Sequence, residues 1–138
     1  MNISIKLSDI LTEFTENKNG VFICNTILRI LNKSGILASE FHSNRTITYR
    51  LFDFLSVNYP QIFKSRNEGQ RGILECWFRP NFLPAMHPEM GIDEDWYHYE
   101  FGGVFSIRDD YKFKCALLKY LITTYGDYSI EFTAEELK

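Results

Sequence analysis

The sequence predicts a single α+β domain that is mainly helical, with about four helices and a small antiparallel β-hairpin or sheet. Apolar residues recur at helical spacing in four stretches, and a Gly-Gly pair separates two short ring-rich stretches. No linker, repeat or low-complexity tract divides the chain. Its 138 residues, 45% hydrophobic and 16% aromatic, suffice for one core, so residues 1–138 are taken as one domain.

Four stretches carry apolar residues at the spacing of a helix with one buried face, and each is bounded by capping, Gly or Pro residues. They comprise residues 8–16, 21–34, 46–59 and 110–125. The second stretch has a narrow polar stripe, Asn25, Arg29 and Asn32, which predicts a central and mostly buried helix. Residues 36–41 are expected to add a short helical turn before the third helix.

The last helix is expected to begin at Asp109 or Asp110, because an Asp side chain can cap the free backbone N–H groups of a first turn. Gly126 is expected to end it. Its apolar face is predicted to comprise Phe113, Leu117, Leu118, Leu121, Ile122 and Tyr125. The residues expected to face water are Lys112, Ala116, Lys119 and Thr123.

Short stretches rich in aromatic and β-branched residues predict the strands. They comprise residues 73–79, 96–101 and 104–107. The last two flank Gly102-Gly103, which suits a tight hairpin turn because both glycines can take positive φ. Residues 128–132 are expected either to pair as a further strand or to cover the core.

Strand alternation assigns the side chains of residues 96–101 to two faces. Tyr97, Tyr99 and Phe101 share one face, which we expect to meet the core. The opposite face carries Trp96, His98 and Glu100. An exposed Trp96 among carboxylates would be typical of an interface anchor with a charged rim.

The three cysteines, Cys24, Cys76 and Cys115, are odd in number and far apart, which argues against a closed disulfide framework and a CxxC motif. We expect Cys24 and Cys115 to be small core residues. Residues 1–11 lack an uninterrupted apolar stretch, so no signal peptide is predicted. No stretch approaches the roughly 20 apolar residues of a membrane span. The expected location is the cytoplasm, without membrane association.

Charge is distributed unevenly, although the formal net charge is −3. Residues 29–79 carry eight basic and four acidic side chains, a local charge of +4. Residues 89–110 carry seven acidic side chains and one arginine, a local charge of −6. The small net charge argues against a strongly basic nucleic-acid binder, whereas the local negative field favours a basic partner.

Residues 89–101, named here the acidic aromatic segment, interleave carboxylates with large rings. Such a segment offers apolar anchors inside a negative field, which suits recognition of a basic protein surface. Burial of Trp96 and Met90 is expected to supply most of the binding energy. The predicted partner-binding residues are Glu89, Met90, Asp93, Glu94, Asp95, Trp96, His98 and Glu100.

The leading hypothesis is therefore a small non-catalytic protein-binding module that docks on a basic, nucleic-acid-binding site of a larger protein and inhibits it by occupation. Asn, Ile, Lys, Phe and Tyr, which all have AT-rich codons, make up 51 of the 138 residues. That association favours a phage or mobile-element origin. The many rings leave a homo-oligomer open. Neither enzyme activity nor a cofactor is expected.

Residues 36–51 resemble a helix-turn-helix, with two short helices and a polar start to the second. The resemblance implies a DNA-binding regulator whose second helix approaches base edges and phosphates. The family usually has Gly in the turn, where His42 stands here. The residues implied for nucleic-acid contact are Asn44, Arg45, Thr48, Tyr49 and Arg50.

A metal-dependent hydrolase is the third hypothesis, because imidazoles and carboxylates suit zinc or another divalent ion. The residues of that type are His87, Glu89, Asp93, Asp95 and His98. Their spacing matches no tight motif, so no metal site is predicted. Cys76 with His87 or His98 is the couple suited to nucleophilic catalysis, and no glycine elbow supports it.

Overall fold

A computed structural model shows a mainly helical α+β fold, which confirms the predicted class. It describes residues 2–17, 23–35, 40–65, 78–79, 82–100 and 104–137, and for residues 40–44, 100 and 104 the backbone alone. The helices are α1 (Leu7–Glu16), α2 (Ile23–Lys33), α3 (Glu40–Asn58) and α4 (Asp110–Tyr125). The strands are β1 (Asn2–Lys6), β2 (Tyr97–Glu100), β3 (Val104–Ile107) and β4 (Ser129–Thr133).

β1 and β4 form a two-stranded antiparallel sheet that brings residues from the two ends of the described chain together. Ile5 lies opposite Ile130, and Ile3 lies opposite Phe132. The side chains of Ile5, Ile130 and Phe132 are buried, so the inner face of this sheet joins the core. The pairing confirms the strand alternative for residues 128–132. β1 itself was not predicted.

The core lies among the four helices: α1 contacts both α2 and α4, and α2 contacts α3. Every helix contributes at least one fully buried side chain. They include Ile10, Phe14, Ile27, Leu31, Ile47 and Phe113. Because full burial of one such side chain stabilises a fold by roughly 1.5–3 kcal/mol, apolar packing holds these short helices together. No helix in the described ranges is long and apolar enough to cross a bilayer.

The described helix boundaries follow the sequence prediction to within one residue except at the start of α3, and the predicted start of the second helix at Val21 lies outside the described residues. α3 begins at Glu40 instead of Thr46 and runs unbroken to Asn58, while residues 36–39 lie outside the described residues. Its end is as predicted: the backbone N–H of Tyr59 donates to the carbonyl of Leu55 at 2.9 Å, and Pro60 follows.

β2 and β3 confirm the predicted hairpin, with Tyr97 opposite Ile107 and Tyr99 opposite Phe105. Tyr97 is buried, and its ring centroid lies 5.5 Å from Phe105 and 6.3 Å from Phe113. Tyr99 is 43% exposed, so the prediction that it faces the core is wrong. It lies about 7 Å farther along the strand than Tyr97, toward the predicted turn of the hairpin.

The predicted strand at residues 73–79 falls mostly outside the described residues, as do Phe101 and the predicted Gly102-Gly103 turn. Phe78, which is described, forms an isolated antiparallel bridge with Phe63, and the two ring centroids are 5.0 Å apart. Both rings are buried. This bridge attaches the chain after residue 77 to the region following α3.

Cys24 on α2 is half-buried and Cys115 on α4 is buried, and both are free thiols. Burial raises the pKa of both side chains, which keeps them protonated and unreactive at neutral pH. These environments agree with the expectation that they are small core residues. Cys76 lies outside the described residues.

Candidate functional site

Short turns set the path of the acidic aromatic segment. A 3-10 turn at Pro88–Met90 ends at Gly91, whose φ of 68° is the left-handed conformation that glycine tolerates best. A second 3-10 turn, Glu94–Trp96, begins where the Asp93 carboxylate accepts a hydrogen bond from the backbone N–H of Asp95 at 2.9 Å. The segment up to Trp96 is therefore an ordered set of turns that leads into β2.

Backbone hydrogen bonds fasten the segment to the start of α4. The carbonyl of Trp96 accepts from the backbone N–H of Arg108 at 2.8 Å and from that of Asp109 at 3.0 Å. The Asp109 carboxylate in turn accepts from the backbone N–H of Lys112 at 3.0 Å and caps α4, as predicted. The acidic turns thus have a fixed position relative to this helix.

Asp93, Glu94 and Asp95 are all exposed. No ion pair among the described residues joins any of these three carboxylates to a basic side chain. Three consecutive negative charges therefore face solvent without an ion pair to any basic side chain that the structure describes. Such an arrangement produces a local negative potential that attracts basic groups.

Glu89 lies on the preceding turn, and its side chain is 55% exposed. His87 Nδ1 lies 3.1 Å from Glu89 Oε1, and the His87 ring stacks on Phe82 with centroids 3.7 Å apart. A hydrogen bond from its own backbone N–H, together with the one from His87, holds the pKa of Glu89 below its ordinary value. The lowered pKa keeps Glu89 ionised at neutral pH.

The two expected apolar anchors do not lie free at the surface. Met90 is 2% exposed and belongs to the core, so the expectation that it anchors a partner is wrong. Trp96 is partly buried and packs against the same core, so the prediction of an exposed ring is also wrong. The reason is that Trp96 ends a 3-10 turn, and strand alternation starts one residue later at Tyr97.

The remaining predicted contact residues differ in what the structure shows of them. His98 is half-buried, and its Nδ1 lies 3.2 Å from Nη2 of Arg108. Only the backbone of Glu100 is described. Two apolar side chains that were not predicted as contacts are exposed near this segment: Met86 is 60% exposed and Tyr99 43%.

A groove of about 520 Å³ separates the acidic aromatic segment from α4. One wall comes from residues 89–91 and Trp96, and the other from α4, with Thr15 of α1 at the edge. The α4 wall comprises Tyr111, Lys112, Cys115, Ala116, Lys119, Tyr120, Thr123 and Thr124. The sequence indicated that some of these face water, but not that another segment faces them across a groove.

The helix-turn-helix prediction is wrong at its turn, because His42 lies within the continuous helix α3. Arg45 is exposed, but Arg50 forms an ion pair with Glu136 near the end of the chain. Thr48 contacts Cys24 Sγ at 3.5 Å. Side chains proposed for base contact therefore hold α3 against other parts of the same chain.

Tyr49 and Asn44, the other two residues of the helix-turn-helix hypothesis, give no support for nucleic-acid contact. Tyr49 is half-buried, and only the backbone of Asn44 is described. Tyr49 and Arg50 line a small polar cleft of about 330 Å³ together with Thr46, Asp53 and Glu136. This cleft has two acids and one base, which does not suit a phosphate backbone.

The proposed metal ligands do not come together. In the part of the chain that the structure describes, no group of three or more His, Cys, Asp or Glu side chains could hold a metal ion. His87 and Glu89 are hydrogen-bonded to each other, whereas His98 is held by Arg108. The nucleophile hypothesis depends on Cys76, which lies outside the described residues.

Comparison of the chain with protein-family models, with curated proteins and with solved structures finds no match. Functional inference therefore depends on the geometry of the acidic aromatic segment and of the groove beside it.

Proposed function

We propose that this chain is a non-catalytic protein-binding module whose acidic aromatic segment docks on a basic surface of a larger protein. One observation carries the proposal: Asp93, Glu94 and Asp95 are consecutive, exposed and without an ion pair among the described residues. They stand on turns that hydrogen bonds fix to α4. A partner would therefore meet a preorganised row of charges, which lowers the entropy cost of binding.

Charge and apolar contact have different roles in such a complex. The carboxylates speed the encounter with a basic surface and disfavour acidic partners. Apolar area buried in the contact supplies much of the affinity. Since Met90 is buried and Trp96 partly so, the exposed side chains of Met86 and Tyr99 are the better candidates for that contact. If the basic surface normally binds nucleic acid, the complex inhibits that binding by occupation.

The test is an affinity pull-down from the cognate cell extract with two matched double variants. Glu94→Gln with Asp95→Asn removes two charges from the segment and leaves the Asp93 hydrogen bond intact. Glu16→Gln with Glu135→Gln removes two exposed charges elsewhere. Both variants change the formal net charge from −3 to −1. Each pull-down is run with and without nuclease, so that a partner bridged by nucleic acid is lost from the treated sample.

The proposal requires that wild-type protein and the Glu16/Glu135 variant retain the same nuclease-resistant partner, and that the Glu94/Asp95 variant loses most of it. Equal capture by all three proteins would show that the segment is a solvated surface. Capture of nucleic acid in samples without nuclease, with no protein partner in the treated ones, would also contradict the proposal.

A further inference from the structure

The groove beside α4 has a different chemistry from the acidic turns that form its outer wall. Lys112 and Lys119 line it, both are exposed, and neither forms an ion pair among the described residues. Glu89 is the acidic residue of the lining. The groove therefore carries a small positive excess although the segment that borders it is strongly negative.

The two lysines are placed to act on one anion. They are seven residues apart on α4, close to two helical turns, so they share a face and are separated by about 10 Å along the axis. Ala116 lies between them on that face and also lines the groove. Its methyl group leaves the space above it open. Lysine side chains have flexible four-carbon stems, so both ammonium groups can reach an anion bound above Ala116.

The rest of the lining suits a flat ring. Trp96, Tyr111 and Tyr120 contribute aromatic surface, and the groove volume of about 520 Å³ lies in the range typical of small-molecule sites. Burial is the main cause that raises the pKa of Tyr120, and the nearby negative charge of Glu89 also contributes to this rise. The Glu89 carboxylate is ionised and exposed, so it can accept a hydrogen bond from an amino group on a bound ring.

We propose that this groove binds a small molecule in which a phosphate monoester is joined to an amino-bearing aromatic ring. The phosphate lies above Ala116 and contacts Lys112 and Lys119. The ring lies against Trp96, with its amino group directed to Glu89. A phosphate monoester fits better than a single carboxylate because its charge of about −1.5 to −2 at neutral pH matches two ammonium groups.

The test is isothermal titration calorimetry on the full chain with adenosine monophosphate as the probe. Adenosine, which lacks the phosphate, and inorganic phosphate, which lacks the ring, are titrated as partial matches. Adenosine monophosphate is expected to bind saturably, and each partial match more weakly by about tenfold or more, because each lacks one half of the contact. Lys112→Gln and Lys119→Gln are each expected to weaken binding by about tenfold.

Two controls separate this site from general charge effects and from misfolding. Arg45→Gln removes one exposed positive charge outside the groove and should bind as wild type does. Ala116→Phe fills the groove without a charge change and should abolish binding, with thermal unfolding recorded to confirm that it folds. Glu94→Gln with Asp95→Asn should keep its affinity for the nucleotide, since this inference is independent of the proposed protein partner.

The inference is overturned if adenosine monophosphate does not bind at millimolar concentrations. It is also overturned if the two lysine variants bind as tightly as Arg45→Gln, or if adenosine binds as tightly as its phosphate. A folded Ala116→Phe variant that still binds would place the ligand outside the groove.

Discussion

The backbone carbonyl of Trp96 accepts a hydrogen bond from the backbone N–H of Asp109 at 3.0 Å, and the Asp109 side chain caps α4. One residue thus both starts the helix and holds the end of the acidic turns. The same helix forms the opposite wall of the groove. The spacing between the acidic turns and α4 therefore depends on a small number of hydrogen bonds around Asp109.

Asp109→Ala is expected to lower the free energy of unfolding by about 1 kcal/mol, the usual cost of losing an N-cap side chain. Asp109→Asn keeps an oxygen that can accept from the Lys112 backbone N–H, so it should stay close to wild type. Urea unfolding followed by circular dichroism measures both. Equal stability of the alanine and asparagine variants would show that the cap is not important.

Glu13 joins α1 to α2 and makes stability depend on pH. Its carboxylate accepts from Lys33 Nζ at 2.8 and 3.0 Å, and Arg29 Nε lies 3.5 Å away. The Lys33 hydrogen bond is the main cause that lowers the pKa of Glu13 below its ordinary value of 4.5. Its stabilising contribution is therefore complete above about pH 4.5 and is lost as the pH falls toward the lower pKa of the folded state.

Glu13→Gln is expected to lower the free energy of unfolding by about 2 kcal/mol at neutral pH, because the amide oxygen can still accept a hydrogen bond but the buried negative charge that pairs with Lys33 and Arg29 is lost. The difference from wild type should shrink below pH 4.5. Glu16→Gln on the same helix is the control, since its side chain is exposed. Urea unfolding across pH would contradict this account if the difference stayed constant at acidic pH.

Tyr59 is fully buried, and its hydroxyl has no hydrogen-bond partner among the residues that the structure describes. Its ring packs against Phe54, Tyr125 and Tyr128, with centroid distances of 5.8, 5.0 and 6.1 Å. Burial is the main cause that raises the pKa of Tyr59, so the hydroxyl stays neutral at ordinary pH. The ring stabilises the core, whereas the unsatisfied oxygen opposes it.

Tyr59→Phe is therefore expected to leave the free energy of unfolding unchanged or to raise it by up to about 1 kcal/mol. Tyr59→Leu, which also removes the ring contacts, should lower it by about 1–3 kcal/mol. Chemical denaturation of the two variants and wild type makes the comparison. A clear loss of stability in Tyr59→Phe would show that the hydroxyl has a stabilising partner.

Local patterns predicted most of the helices and the hairpin. Periodicity located α1, α2 and α4, and the ring-rich stretches located β2 and β3, while the predicted Gly102-Gly103 turn lies outside the described residues. β1 was missed because a five-residue strand is stable only through its partner, and β4 lies more than 120 residues later in the chain. The continuous start of α3 was also missed, because the polar residues around His42 suggested a turn.

The candidate site was predicted less well, and the reason is geometric. Glu89, Asp93, Glu94 and Asp95 are exposed as expected. The burial of Met90 and the partial burial of Trp96 follow from 3-10 turns that have neither the helical nor the strand period. The groove combines Thr15, residues 89–91, Trp96 and one face of α4. Such a surface depends on long-range packing, so spacing along the chain does not reveal it.

The most direct test of the proposed function is the affinity for the purified partner identified by pull-down, measured at low and high salt. The account predicts that Glu94→Gln with Asp95→Asn weakens binding by about fivefold or more at low salt and by less at high salt, where ions screen exposed charges. Glu16→Gln with Glu135→Gln should bind as wild type does. Equal affinities for the two double variants at low salt would contradict the central claim.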